Sequence, residues 1–155
     1  MDDMTFIRLC ERSMASFFRV AYSVLRRRQD AEDAVQQALL KGWAAREKAR
    51  PGCEQAWVMR IVINECRNIQ RYRMRVTPVE QMPQAPLEPP DIALRAALDA
   101  LPPNLRLALL LKYMESMSEK EMAVALGLSV PAVKSRLLRA RRALRKELSE
   151  EVEWP

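Results

Sequence analysis

The stretch 118–146, SEKEMAVALGLSVPAVKSRLLRARRALRK, contains two helical segments separated by a glycine turn. Ser118 and Glu121 have the spacing of a capping box, in which each side chain accepts a hydrogen bond from the other residue's backbone N–H. Gly127 predicts a left-handed end to the first helix. Ser129 predicts the cap of a second helix. Two helices joined by so short a turn indicate a helix-turn-helix motif.

The second helix of this motif has one apolar and one basic face. Apolar residues recur at intervals of four, three and four, which predicts a buried stripe made of Val133, Leu137, Ala140 and Leu144. From Lys134 to Lys146, seven of thirteen residues are basic and none is acidic. Such a face supplies charge for phosphates and donors for guanine, so it predicts DNA contact. The alternative is an ordinary amphipathic helix with a solvated basic face.

Upstream of the motif, residues 76–91 carry five of the ten prolines and no basic residue. Repeated proline blocks helix formation and favours an extended, semi-stiff chain. The segment predicts an acidic linker with a reach of about 50 Å. A short helix ending before Pro102, and another running from Pro103 to about Glu115, are expected between linker and motif.

The amino-terminal half also has helical periodicity. Apolar residues recur between Phe6 and Leu25, Asp30 resembles the N-cap of a second helix, and a third is predicted from about Glu54 to Arg73. The expected fold is therefore all-α, with two small helical domains joined by an extended proline-rich linker. We expect the two domains at residues 1–75 and 92–150, the linker at 76–91 and a carboxy-terminal tail at 151–155.

The third predicted helix carries arginine and asparagine at intervals of four, three and four. Arginine provides phosphate contacts, asparagine pairs with the edge of an unstacked base, and tryptophan stacks on bases. This chemistry suits single-stranded DNA, although a core tryptophan with solvated arginines is an equal alternative. The candidate residues are Trp57, Arg60, Asn64, Arg67, Asn68 and Arg71.

The second predicted helix starts with a cluster of acidic residues. Three acids in a first turn favour the helix dipole, which is a sufficient structural reason for them. An acidic helix start in a basic protein also offers a docking point for a basic partner surface. The candidate docking residues are Asp30, Glu32, Asp33, Gln36 and Gln37.

Composition narrows the possible functions. The 155 residues include 26 Lys+Arg, 20 Asp+Glu, three cysteines and no histidine, with a formal net charge of +6. Without histidine there is no Ser-His-Asp relay and no imidazole metal ligand. Without a CxxC pair, a zinc or redox site is not expected. We therefore expect no catalytic residue, no metal and no cofactor. Neither a signal peptide nor a membrane-length apolar run is evident, so we expect a cytoplasmic protein without membrane insertion.

Three blocks of the sequence together resemble a known family. YSVLRRRQDAEDAVQQALLKGW (22–43) and AWVMRIVINECRNIQRYRMR (56–75) are similar to regions 2.1–2.2 and 2.3–2.4 of a bacterial sigma factor. Residues 98–148, which contain VKSRLLRAR, are similar to region 4. The chain resembles a group IV (extracytoplasmic-function) sigma factor of the sigma-70 family.

This resemblance implies partners and roles. The acidic start of the second helix would dock on the β′ clamp helices of core RNA polymerase, and region 4 on the β flap. The third helix would capture a base flipped from the −10 element, with Asn64 as the pocket asparagine. The recognition helix of region 4 would lie in the major groove of the −35 element. It would place Arg142 on the DNA backbone and five residues near bases or phosphates, namely Ala132, Lys134, Ser135, Arg136 and Arg139.

The predicted function is therefore promoter-specific transcription initiation, without enzymatic activity. Family members are often held by an anti-sigma factor, which is a further possible partner. Two alternatives remain open at this point. One is a stand-alone helix-turn-helix regulator that binds a palindromic operator as a dimer. The other is a helical adaptor that never contacts DNA.

Overall fold

A computed structural model describes residues 1–76 and 92–151 of the chain. This part of the chain folds into helices joined by short turns and contains no β-strand. The expected all-α fold is thereby confirmed. Nearly all of the predicted linker and tail lie outside the described residues. Within residues 1–76 and 92–151, no helix combines the length and apolar character that crossing a membrane requires.

The amino-terminal bundle consists of helices α1 (Asp3–Leu25), α2 (Arg28–Ala44) and α3 (Glu54–Val76). α1 is capped by Asp2, whose carboxylate accepts the N–H of Thr5 at 2.7 Å. Packed side chains from all three helices fill the centre of the bundle, among them the fully buried Phe17, Val20, Ala34, Val58 and Val62.

The prediction that Asp30 caps the second helix is wrong. α1 ends at Arg26 in the left-handed conformation, with φ of 61°, and α2 already begins at Arg28. The turn between these helices is so tight that Arg27 occupies the N-cap position and Asp30 falls within the first helical turn. There the carboxylate of Asp30 forms an ion pair with Arg73 of α3.

The carboxy-terminal unit begins with three short segments before the helix-turn-helix motif. These are α4 (Ile92–Asp99), α5 (Pro103–Leu109) and a π-helical turn (Leu110–Met114). The helix predicted to reach Glu115 thus widens into a π turn after about two turns. The chain then leaves the helix through Ser116, whose φ of 55° is unusual for a residue other than glycine.

The helix-turn-helix motif is formed by α6 (Glu119–Leu126) and α7 (Val130–Glu151). Both halves of the capping box are present, because the Glu121 N–H donates to Ser118 at 3.1 Å and the Ser118 N–H donates to Glu121 at 3.0 Å. Gly127 ends α6 with φ of 66°, as predicted. A side chain would be strained in that conformation.

The bundle and the carboxy-terminal unit are packed against each other. α6 lies on α3, and α5 touches α1. Buried residues of both parts belong to one continuous apolar cluster, including Met59 and Ile63 on α3 and Leu107, Met122 and Leu137 from the other unit. The chain is therefore closed on itself, with α3 at the contact.

Neighbouring leucines on α7 allow a test of this packing. Leu137 is fully buried, whereas Leu138 is 47% exposed. We expect Leu137→Ala to lower the free energy of unfolding by about 2–5 kcal/mol, because it leaves a cavity in the core. Leu138→Ala should change it by less than about 0.5 kcal/mol, as surface substitutions usually do. Urea denaturation followed by circular dichroism measures both, and equal losses would contradict the described orientation of α7.

Candidate nucleic-acid interface

Helix α7 presents its predicted basic face to solvent. The buried face packs through Val133, Leu137 and Ala140, each fully buried, while Leu144 is partly buried. Of the candidates for the −35 element, four are exposed and the other two, Ala132 and Arg136, are half-buried. The exposed four are Lys134, Ser135, Arg139 and Arg142.

Most of this basic face has no acidic partner. Lys134 lies 3.8 Å from Glu119, which is a weak ion pair between the two helices of the motif. Within residues 1–76 and 92–151, neither Arg139 nor Arg142 forms an ion pair or a hydrogen bond. Unpaired guanidinium groups on an exposed face are available to phosphates and to guanine edges.

Charge crowding also affects α7. The pKa of Arg136 is lowered, first by burial and then by the neighbouring positive charges of Arg139 and Arg67. Arg67 belongs to α3 and Arg136 to α7, so the basic faces of the two candidate DNA helices approach each other in the closed chain. An anion at this position would relieve the repulsion between them.

Helix α3 presents the predicted asparagine and arginine residues along one side. Arg60, Asn64, Asn68 and Arg71 are exposed, and Arg71 donates to the side-chain oxygen of Asn68. In the described part of the chain Asn64 has no hydrogen-bond partner. Its amide is therefore free to bond with a base.

Trp57 and Arg67 are less accessible than the other candidates on α3. Trp57 is half-buried and packs against the apolar core, and Arg67 is half-buried beside the carboxy-terminal unit. One part of the Trp57 ring is packed and the other is exposed. Its position therefore fits both a residue of the core and a residue that stacks on a base.

The loop before α3 is ordered by its own short hydrogen bonds. The N–H of Gly52 donates to the carboxylate of Glu54 at 2.9 Å, and this bond lowers the pKa of that carboxyl. Gly52 itself has a φ of 79°, which favours glycine at the turn. Arg50, Pro51 and Cys53 of this loop face the turn between α6 and α7 across an open cleft of about 360 Å³.

The acidic residues at the start of α2 differ in their partners: one pairs with α3, and the others have partners within α2. Asp30 is half-buried and held by Arg73, so its carboxylate ties α2 to α3. Glu32 pairs with Arg28 at 3.2 Å, and Asp33 accepts a hydrogen bond from Gln29 at 3.0 Å. The exposed residues of the group are Asp33, Gln36 and Gln37. They form an open polar surface on the side of α2 away from the core.

Residues that join the two halves of the chain were not identified from the sequence. Ser16 and Arg19 of α1 both bind Glu115, and Arg26 binds Asp99. No local pattern marks these residues, because each pair unites elements more than seventy residues apart. Their roles depend on how the two halves pack, which helical periodicity does not determine.

Because the chain lacks histidine, its acidic and cysteine side chains are the candidate metal ligands in the described part of the chain. No three acidic or cysteine side chains there are grouped so that they could hold a metal ion. Cys10, Cys53 and Cys66 are free and buried. Burial raises the pKa of the Cys66 thiol to about 12, so this thiol stays protonated at neutral pH.

Comparison with known proteins places both halves of the chain in one family. Residues 9–76 match the family model for sigma-70 region 2, and residues 91–144 match that for sigma-70 region 4. The ECF RNA polymerase sigma factor SigE of Mycolicibacterium smegmatis is 31% identical over 148 residues, an alignment that covers 86% of this chain and 57% of that protein. The RNA polymerase sigma-E factor of Streptomyces coelicolor is 35% identical over 129 residues, covering 77% of this chain and 72% of that protein.

Solved structures agree with this relationship. The sigma factor RpoE in complex with the anti-sigma factor NepR from Bartonella quintana has a TM-score of 0.76 and 27% identity, covering 93% of this chain and 96% of that chain. CnrH in complex with the cytosolic domain of CnrY has a TM-score of 0.70 and 26% identity, covering 97% and 92%. The family predicted from the three sequence blocks is thus confirmed. The chain belongs to the sigma-70 family of RNA polymerase sigma factors, and within it to the extracytoplasmic-function group.

Proposed function

We propose that this chain directs promoter-specific transcription initiation by binding core RNA polymerase, reading two promoter elements and helping to melt the DNA. It acts by binding and not by catalysis, in the cytoplasm. The observation that carries this proposal is the presence of two exposed faces, on α3 and on α7, where Arg60, Arg71, Arg139 and Arg142 have no acidic partner within residues 1–76 and 92–151. They lie in the segments that match sigma-70 regions 2 and 4.

The two faces suit different states of DNA. Residues 92–150 act on duplex DNA, because an exposed basic helix of this kind fits the major groove and meets both phosphates and guanine. Residues 1–75 act on the melted −10 element, because a free amide such as that of Asn64 pairs with an unstacked base. Trapping a flipped base offsets the few kcal/mol that unstacking costs.

Core polymerase binds the remaining exposed surface of the bundle. Asp33, Gln36 and Gln37 form a polar, partly acidic surface on α2 that no described part of the chain covers. The β′ clamp helices are the proposed partner there, and the β flap is the proposed partner of the carboxy-terminal unit. An anti-sigma factor is a further proposed partner. One similar structure holds RpoE with the anti-sigma factor NepR, and another holds CnrH with the cytosolic domain of CnrY.

Run-off transcription tests the proposal as a whole. Core polymerase should produce discrete transcripts from genomic fragments only when this chain is added. A gel shift with and without core polymerase separates the two alternatives. A stand-alone regulator would shift duplex DNA unaided, and an adaptor would give no salt-dependent promoter binding under either condition.

Asn64 provides the sharpest test of −10 recognition. We expect Asn64→Ala to reduce open-complex formation at least tenfold while core binding is unchanged, because the base pocket loses its hydrogen bonds (about 1.4 kcal/mol per tenfold). Permanganate footprinting of the melted region measures this. The matched control is Asn104→Ala, an exposed asparagine on α5. Equal open-complex yields from wild type and Asn64→Ala would reject the assignment.

Arg139 tests −35 recognition. A guanidinium that reads guanine contributes about 1–3 kcal/mol of base discrimination, so Arg139→Ala should weaken initiation roughly 5- to 160-fold on a promoter with an intact −35 element. On a promoter with a scrambled −35 element the same variant should have little effect. An equal loss on both promoters would instead indicate a phosphate contact.

Asp33 tests docking on core polymerase. Asp33→Lys reverses an exposed charge on α2, so we expect slower association with core and a changed salt dependence. Competition for core against a labelled wild-type chain measures the effect, which should be several-fold. Glu47→Lys makes the same change at an exposed residue outside α2. If both variants compete equally well, the docking surface lies elsewhere.

A further inference from the structure

A small cavity lies between α3 and α5, where the bundle meets the carboxy-terminal unit. Its volume is about 50 Å³. A buried water needs roughly 10–15 Å³, so the cavity has room for several waters or for one small ion. Its polar lining comes from α1, α3 and α5 and consists of Ser23, Arg67, Gln70, Asn104 and Arg106. The two charged groups among these are both arginines.

Several of the donors that line this cavity have no acceptor. Within residues 1–76 and 92–151, the guanidinium groups of Arg67 and Arg106 take part in no ion pair and no hydrogen bond. The side-chain amide of Asn104 has no hydrogen-bond partner there either. Ser23 and Gln70 donate to backbone carbonyls of α1. The cavity is therefore rich in N–H donors, and none of its lining residues carries a carboxylate.

Positive charge is crowded around Arg106. This residue is half-buried, and burial is the first cause that lowers the pKa of its guanidinium. The charges of Arg26 and Arg95 lower the same pKa, and only Asp99 acts in the opposite direction. Asp99 is already bound by Arg26 and lies 3.9 Å from Arg95. Three arginines thus share one carboxylate on the α5 side of the cavity.

The α3 side of the cavity is crowded in the same way. Arg67 is half-buried, and its charge is one of those that lower the pKa of Arg136 on α7. Among the described residues, no acidic group acts on Arg136 in the opposite direction. Like charges that are partly removed from water repel one another more strongly than they do in solution. An anion between Arg67 and Arg106 would stabilise both groups.

We propose that this cavity is a binding site for a small tetrahedral dianion, of the class of inorganic phosphate. Arg67 from α3 and Arg106 from α5 bind its oxygens, and the amide of Asn104 donates a further hydrogen bond. Guanidinium suits this ligand because its planar set of N–H donors matches two phosphate oxygens at once. The proposal gives Arg67, which the sequence pattern placed among the −10 contacts, a different ligand.

The size of the cavity favours a free ion over the backbone of a nucleic acid. A volume of about 50 Å³ takes one phosphate group, but not the sugars on either side of it. The phosphates of DNA offer the same chemistry, so a DNA arm belongs in the test.

Calorimetric titration of the full chain with sodium phosphate tests the site directly. The ionic strength is held constant with sodium chloride, and the pH is set so that phosphate is mainly a dianion. We expect saturable binding of one phosphate per chain. At a hundred times the dissociation constant, phosphate should raise the melting temperature by about 5–10 °C. Sulfate, which has the same shape and charge, should compete for the site.

Arg106→Gln is the principal variant. A charge-assisted bond corresponds to about a tenfold change in affinity or more, so Arg106→Gln and Arg67→Gln should each bind phosphate at least tenfold more weakly than wild type. Arg12→Gln is the matched control, because Arg12 is an exposed arginine of α1 outside the cavity. Without phosphate, Arg106→Gln should melt no lower than wild type, because it removes a charge that burial and its neighbours disfavour.

Three results would each overturn the site. The first is a phosphate effect that does not saturate, or that is equal in wild type, Arg106→Gln and Arg12→Gln, since that is a general salt effect. The second is a marked fall in the melting temperature of phosphate-free Arg106→Gln, which would mean that this guanidinium has an acceptor within the fold. The third is weaker binding of single-stranded DNA to Arg106→Gln while free phosphate does not bind, which would give the cavity to the nucleic-acid backbone. The phosphate titration requires neither DNA nor polymerase, so its result is independent of the proposed function.

Discussion

Helix α3 has to be buried on more than one side, and the arrangement of the whole molecule depends on this. It contacts α1 and α2 of its own bundle and α6 of the carboxy-terminal unit. Ile61 lies near Gly42 of α2, whereas Ile63 lines a small cavity between α3 and α5. Each fully buried aliphatic side chain contributes about 1.5–3 kcal/mol. These contacts leave one side of α3 exposed, which carries Arg60, Asn64, Asn68 and Arg71 and is the face proposed to bind DNA.

Four acidic residues of this basic chain form ion pairs that join its elements. Asp30, Glu65, Asp99 and Glu115 each pair with an arginine or lysine of another element. Buried pairs of this kind are costly to break, because the remaining charge is left without a partner. With these carboxylates occupied, the excess of positive charge is left on the exposed sides of α3 and α7. The net charge of +6 is thus concentrated where a polyanion would bind.

Much of the fold could be predicted from the sequence, because it is determined by local signals. The capping box at Ser118, the left-handed Gly127 and the buried stripe of α7 all follow from spacing and backbone preference. The start of α2 was misplaced because the left-handed Arg26 gives no signal in the sequence. The π turn after Leu109 has no signature either. The closed packing of the two halves was beyond sequence reasoning, since Ser16, Arg19 and Glu115 meet only through tertiary structure.

The packing of the two halves brings like charges together. The pKa of Arg136 on α7 is lowered first by burial and then by the positive charges of Arg139 and of Arg67 on α3. The contact of α6 with α3 therefore holds two basic helices side by side against the repulsion between their charges. A bound anion would relieve that repulsion, so the surface that costs energy in the unbound chain is the one suited to a polyanion.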